Sequence, residues 1–98
     1  MAQFDVHRIA GHGLVVDLQN DFLQDLRSRI VAPLREPTEV TVSTSRLTPL
    51  VTLDEGSFRV AVQFLRAVDQ TQLGPKVGSL LPHEFELKAA LDMLISGF

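Results

Sequence analysis

The chain has 98 residues, twelve acidic against nine basic side chains, a formal net charge of −3, 45% hydrophobic residues and no cysteine. A chain this short buries only about two-thirds of its unfolded surface and gains roughly 5–15 kcal/mol of net stability, so one domain over residues 1–98 is predicted and a second core is excluded. The acid excess argues against direct DNA or RNA binding. The missing thiols remove a disulfide framework, a thiolate nucleophile and any Cys-based metal site.

No basic stretch followed by an apolar run opens the sequence, and no apolar run approaches the roughly 20 residues that cross a bilayer. The expectation is a soluble, cytoplasmic protein with no membrane partner.

In chain order, the front two-thirds alternates with the period of a sheet with one buried face. Phe4, Val6 and Ile9 alternate with Gln3, Asp5 and His7. Gly11-His12-Gly13 then breaks the run with residues that tolerate positive φ, which predicts a hairpin. Leu14-Val15-Val16-Asp17-Leu18 forms its second arm and ends at Gln19-Asn20-Asp21. Phe22, Leu23 and Leu26 fall in a charged, irregular stretch and read as a loop whose apolar side chains need a cover.

Ile30-Val31-Ala32 predicts a strand with Pro33 at its edge or end, because proline cannot donate a ladder hydrogen bond. Val40 and Val42 alternate with polar neighbours in a short, half-exposed strand. Leu50, Val51 and Leu53 make another, turned by Asp54-Glu55-Gly56 into a return strand from Phe58 to Phe64, with Phe58, Val60, Val62 and Phe64 on one face. The stretch from Val68 to Gly78 reads as irregular, punctuated by Gly74-Pro75.

From Pro82 the period becomes helical, and a helix from Pro82 to about Ile95 would be roughly 21 Å long. Pro82 suits a first helical position and Glu84 and Glu86 suit the positive end of the dipole. Leu87, Ala90, Leu91 and Leu94 form the apolar stripe, Glu84, Lys88 and Asp92 the polar one, and Gly97 the stop. Several strands closed by one amphipathic helix predict a strongly curved antiparallel sheet or small barrel with a helix packed on it.

Chemistry is sparse. His7, His12 and Asp17 have no ligand spacing, so His7 reads as a strand surface residue and His12 as a turn residue, and no metal is expected. Asp54 and Glu55 read as a solvated turn, and the arginines are dispersed. No phosphate-cradling loop, nucleophile elbow or two-His helix motif occurs, so no catalytic residue and no cofactor are expected. The helix end, Met93-Leu94-Ile95-Ser96-Gly97-Phe98, is apolar where most chains turn polar. Either it plugs the domain's own sheet, or it meets a second copy or a partner.

These residues resemble the CcdB family of toxins from toxin–antitoxin modules. The likeness runs through Gln3-Phe4-Asp5-Val6, Val16-Asp17-Leu18-Gln19-Asn20-Asp21, Arg29-Ile30-Val31-Ala32-Pro33-Leu34, Leu47-Thr48-Pro49-Leu50-Val51, Gly56-Ser57-Phe58-Arg59-Val60 and the final Ser96-Gly97-Phe98. The first hairpin is shorter than in the best-known member, and residues 35–46 match poorly.

The resemblance implies a mainly β, SH3-like barrel with a C-terminal helix, as in CcdB, Kid and MazF toxins, forming a homodimer. It implies binding to the A subunit of DNA gyrase, a topoisomerase, and trapping of its cleaved-DNA complex, without catalysis by the toxin. A cognate antitoxin would neutralise it through a disordered C-terminal segment. The pair would regulate transcription of its own operon, touching DNA only through the antitoxin.

By position, the gyrase-binding residues carried over are Phe22, Leu23, Asp92, Ile95, Ser96, Gly97 and Phe98. Toxic members carry tryptophan where Ser96 stands and asparagine where Asp92 stands, so the indole that stacks on a target arginine is missing here. Two alternatives stay open: a non-toxic homologue that keeps only dimerisation and antitoxin binding, and a MazF-like or Kid-like endoribonuclease toxin on the same fold.

Overall fold

The computed structural model describes residues 2–11, 13–39 and 46–97. In chain order it contains β1 (Asp5–Ile9), β2 (Gly13–Asp17), β3 (Ser28–Arg35), β4 (Leu50–Leu53), β5 (Gly56–Val60), β6 (Arg66–Asp69), β7 (Lys76–Ser79) and α1 (Glu84–Ser96). The predicted first hairpin is present: Ile9 lies opposite Gly13, and Gly11 and Gly13 have φ of +79° and +78°. The expected turn residue His12 and the expected strand around Val40 and Val42 lie outside the described residues.

β3 is the hub. One edge pairs with β2, placing Val15 opposite Pro33 and Val16 opposite Ala32. The other edge is shared between β6, with Val31 opposite Arg66, and β5, with Leu34 opposite Val60. The full order is β4-β5-β3-β2-β1-β7, with β6 also on β3. The end strands β4 and β7 approach without pairing: Leu53 packs on Gly78, where a Cβ would lie 3.1 Å from the Leu53 side chain. The result is the predicted strongly curved, nearly closed antiparallel barrel with its C-terminal helix.

Three local expectations are corrected. Pro33 does not end its strand but lies inside an eight-residue one. The backbone N and O of one residue point to the same side of an antiparallel strand, and the Pro33 carbonyl accepts from Ala61 N at 2.9 Å. Its missing N–H therefore falls where β3's outer edge passes from β6 to β5, and no ladder bond is lost there.

The return strand stops at Val60. Ala61 turns off, residues Val62–Phe64 form a 3-10 turn, and Phe64 is exposed instead of sharing the core face. The stretch read as irregular holds β6 and β7, each four residues long with at most one buried side chain, too little periodicity to register.

The main core combines Val6, Leu14, Val16, Ala32, Leu34, Val60 and Val62 with Leu80, Leu87 and Ala90 of the C-terminal segment. Ile9, Val15, Val31 and Val68 form a second, smaller cluster on the opposite sheet face, with Leu73 packed against it. The chain after β6 straps this face. Asp69 caps the turn Gln70–Gln72, accepting from Thr71 N at 3.0 Å and Thr71 Oγ1 at 2.8 Å. Those hydrogen bonds, backbone first, and the Arg27 charge hold the Asp69 carboxyl below its ordinary pKa.

Gly74 N then donates to Arg8 O at 2.7 Å. A Cβ at Gly74 would sit 2.5 Å from that same oxygen, so only glycine fits.

The helix follows the sequence reading closely. A 3-10 turn, Leu81–His83, carries Pro82 and leads into α1, whose first turn holds Glu84 and Glu86. Gly97 closes it in the left-handed conformation at φ +81°, donating to Met93 O at 3.0 Å. Leu87 and Ala90 are buried and Leu91 is packed against the core, while Leu94 reaches the surface.

Candidate functional site

Phe22 and Leu23 occupy the 3-10 turn Asp21–Leu23 between β2 and β3. Its backbone is tied down: Asn20 Oδ1 accepts from Phe22 N at 2.8 Å, Gln19 Nε2 donates to Leu23 O at 2.9 Å, and Asp21 Oδ1 accepts from Gln3 N at 2.8 Å. The turn is fixed while its apolar side chains are left to solvent, Phe22 at 95% exposure and Leu23 at 48%. Among the described residues nothing supplies the cover that the sequence demanded, and Leu26 is also half-exposed.

The second group lies on the last turns of α1. Ile95 is 75% exposed, and Asp92, Ser96 and Gly97 are exposed beside it. Phe98 lies outside the described residues. Of the two readings of the helix end, the structure divides them: Leu91 packs inward, whereas Ile95 plugs nothing. Among the described residues no hydrogen bond or ion pair joins this group to the 21–23 turn, so the two apolar ends stand as separate surface features.

The residues considered for chemistry are otherwise engaged. His7 is not a surface residue but is 4% exposed, because β7 and the 70–75 strap cover its side of β1. Its Nδ1 lies 3.0 Å from Gly74 O and so carries the hydrogen it donates, leaving Nε2 buried without a hydrogen-bond partner among the described residues. Asp5, also read as an outward polar position, is buried and bonded to Lys76 Nζ at 3.2 Å. Glu55 pairs with Arg8 at 3.8 Å across the surface, a contact of little weight. Among the described residues no three His, Asp or Glu side chains gather as a metal site.

Sequence reasoning missed a buried ion pair. Asp17 and Arg29 are 0% and 1% exposed at their side chains. Arg29 Nε donates to Asp17 Oδ2 at 2.8 Å with Nη2 at 2.6 Å, and Asp17 Oδ1 accepts from Gln19 N at 3.0 Å. The signal was register: Asp17 lies opposite Val31, and Arg29 two residues earlier shares that face. The pair anchors the segment from Gln19 to Arg29 that displays Phe22.

A nearly closed barrel capped by a C-terminal helix is the fold of toxin–antitoxin toxins, and solved structures match it over almost the whole chain. One, described as an endoribonuclease in complex with its cognate antitoxin from a mycobacterial species, superimposes with a TM-score of 0.79 at 13% identity, covering 97% of this chain and 94% of that one. Another, described as an Mtb toxin, gives 0.70 at 18% identity, covering 95% and 99%. The CcdB family model matches residues 3–97. The chain belongs to the CcdB family, the toxins of toxin–antitoxin systems.

Proposed function

We propose that this CcdB-family toxin acts by binding the A subunit of DNA gyrase and holding the enzyme on cleaved DNA, and that a cognate antitoxin neutralises it. In this reading the protein is a cytoplasmic homodimer that makes and breaks no covalent bond itself; gyrase does the cleavage. The observation that carries the reading is the exposure of Phe22 and Ile95, two large apolar side chains at positions brought over from the family's gyrase-facing set.

Burying each is worth about 1.5–3 kcal/mol, which is offset in part by the cost of association. Ser96 adds neither area nor a ring for a cation, so affinity rests on Phe22, Leu23, Ile95 and the last residue. The antitoxin-bound state of the mycobacterial neighbour supports the neutralisation half of the proposal.

The test is calorimetric titration of the source organism's gyrase A subunit. Phe22→Ser and Ile95→Ser should each weaken binding about tenfold or more. Neither should shift stability by more than about 0.5 kcal/mol, because the wild-type side chains are already solvated. Absence of wild-type binding, or binding by both variants as tight as that of the wild type, contradicts the proposal. A second reading follows from the neighbour described as an endoribonuclease. Cleavage of cellular RNA at defined sites on expression supports it, and intact RNA during growth arrest removes it.

A further inference from the structure

Among the described residues Phe4 is the only one other than glycine with a positive φ, at +71°. It is the third residue of a turn over residues 2–5, closed by Asp5 N donating to Ala2 O at 3.1 Å and doubled by Ala2 N donating to Asp5 Oδ2 at 3.0 Å. A turn with positive φ at its third residue alone is type II, and glycine or asparagine ordinarily fills that place. A bulky side chain persists there only where its surroundings over-determine it. Here they do: Phe4 N donates to Asp17 O at 2.6 Å, Phe4 O accepts from Leu80 N at 2.7 Å, and the ring is buried in the main core.

The second residue of such a turn keeps its N–H free of the closing bond. In this chain that residue is Gln3, and its N–H donates to Asp21 Oδ1 at 2.8 Å while its Nε2 donates to Leu18 O at 3.1 Å. Asp21 opens the 3-10 turn that carries Phe22 and Leu23. Asn20 and Gln19 hold that turn from within its own segment. Among the described residues, Gln3 is the one whose hydrogen bonds reach it from elsewhere in the fold. The rigid barrel is thereby connected to the display turn: Phe4 is locked in the core, the 2–5 turn fixes Gln3, and Gln3 fixes Asp21.

We infer that Gln3 and Asp21 are positioning residues for Phe22, a brace that presents the exposed ring already oriented, so that less freedom is lost when a partner covers it. The inference rests on the gyrase reading of Phe22 and adds to it the residues that act through Phe22. Neither Gln3 nor Asp21 belongs to the gyrase-facing set.

The experiment uses the full chain and reads two quantities. Backbone amide order parameters at residues 21–24 report the brace without gyrase, and calorimetric titration of the gyrase A subunit reports its consequence. Proline suits the second place of a type II turn, so Gln3→Pro removes both donors and keeps the turn. Asp21→Ala removes the acceptor from an exposed position and carries the test if melting curves show that the proline variant does not fold. In both variants the order parameters should fall from about 0.85 toward 0.6, and affinity should fall about three- to tenfold, the range for ordering one side chain on binding. Asp21→Asn keeps the Oδ1 acceptor and should restore most of both.

In the Phe22→Ser/Leu23→Ser protein, Asp21→Ala should weaken binding hardly further, because a brace acts only through what it presents. Unchanged order parameters in both variants overturn the inference. So does an equal loss of affinity with and without Phe22 and Leu23, which would make the brace residues direct contacts. If the wild type itself does not bind gyrase, the gyrase reading fails, and the order parameters alone decide whether Gln3 holds the turn.

Discussion

Arg29→Leu removes the only cation that reaches the Asp17 carboxylate by the contacts described, and both side chains are sealed from water at 1% and 0% exposure. Breaking a buried pair from one side leaves an uncompensated charge and costs about 3–5 kcal/mol. For a domain of this size each 1 kcal/mol lowers the melting temperature by about 4–8 °C, so a fall of about 12–40 °C is expected, close to unfolding a domain of ordinary stability.

The partner variant Asp17→Asn keeps an oxygen for Gln19 N, and the double variant Asp17→Asn/Arg29→Leu buries no net charge. It should recover about 2 kcal/mol or more of the sum of the single losses. Chemical denaturation of the four proteins reads this coupling directly. A loss below about 1 kcal/mol for Arg29→Leu, or strict additivity in the double variant, would refute the reasoning.

Other consequences are checked more simply. Gly74→Ala forces a Cβ to within 2.5 Å of Arg8 O, so the strap must shift, costing about 1–3 kcal/mol in denaturation and raising amide exchange at residue 74. The Asp69 pKa is depressed, so its stabilisation is present above the ordinary carboxylate pKa and is lost as pH falls through the folded value. The stability gap between wild type and Asp69→Asn should therefore shrink on acidification, and a gap independent of pH contradicts that assignment. Ser96→Trp should raise gyrase inhibition if the carried-over contact geometry holds, and no gain on a folded protein would place the contact elsewhere.

Much of the architecture was legible because it rests on local rules. The hairpin at Gly11 and Gly13 and the helix stop at Gly97 are positive-φ demands that glycine meets, and both appear where the residues put them. What failed to register is non-local. Pro33 reads as an edge or end residue until the hand-over between β6 and β5 is known, and His7 and Asp5 read as outward until β7 and the strap arrive from seventy residues away. The proposed gyrase-facing residues came from resemblance, and the structure adds that Phe22 and Ile95 are exposed, without a cover among the described residues.

The central claim is that the bare apolar ends of this barrel engage gyrase, and the most direct measurement is trapped DNA cleavage by the source organism's gyrase with the purified protein added. Linear, covalently protein-bound DNA should accumulate with increasing wild-type protein and fall sharply with the Phe22→Ser/Ile95→Ser double variant. No accumulation above the enzyme alone, or the same accumulation with the double variant, would contradict the account.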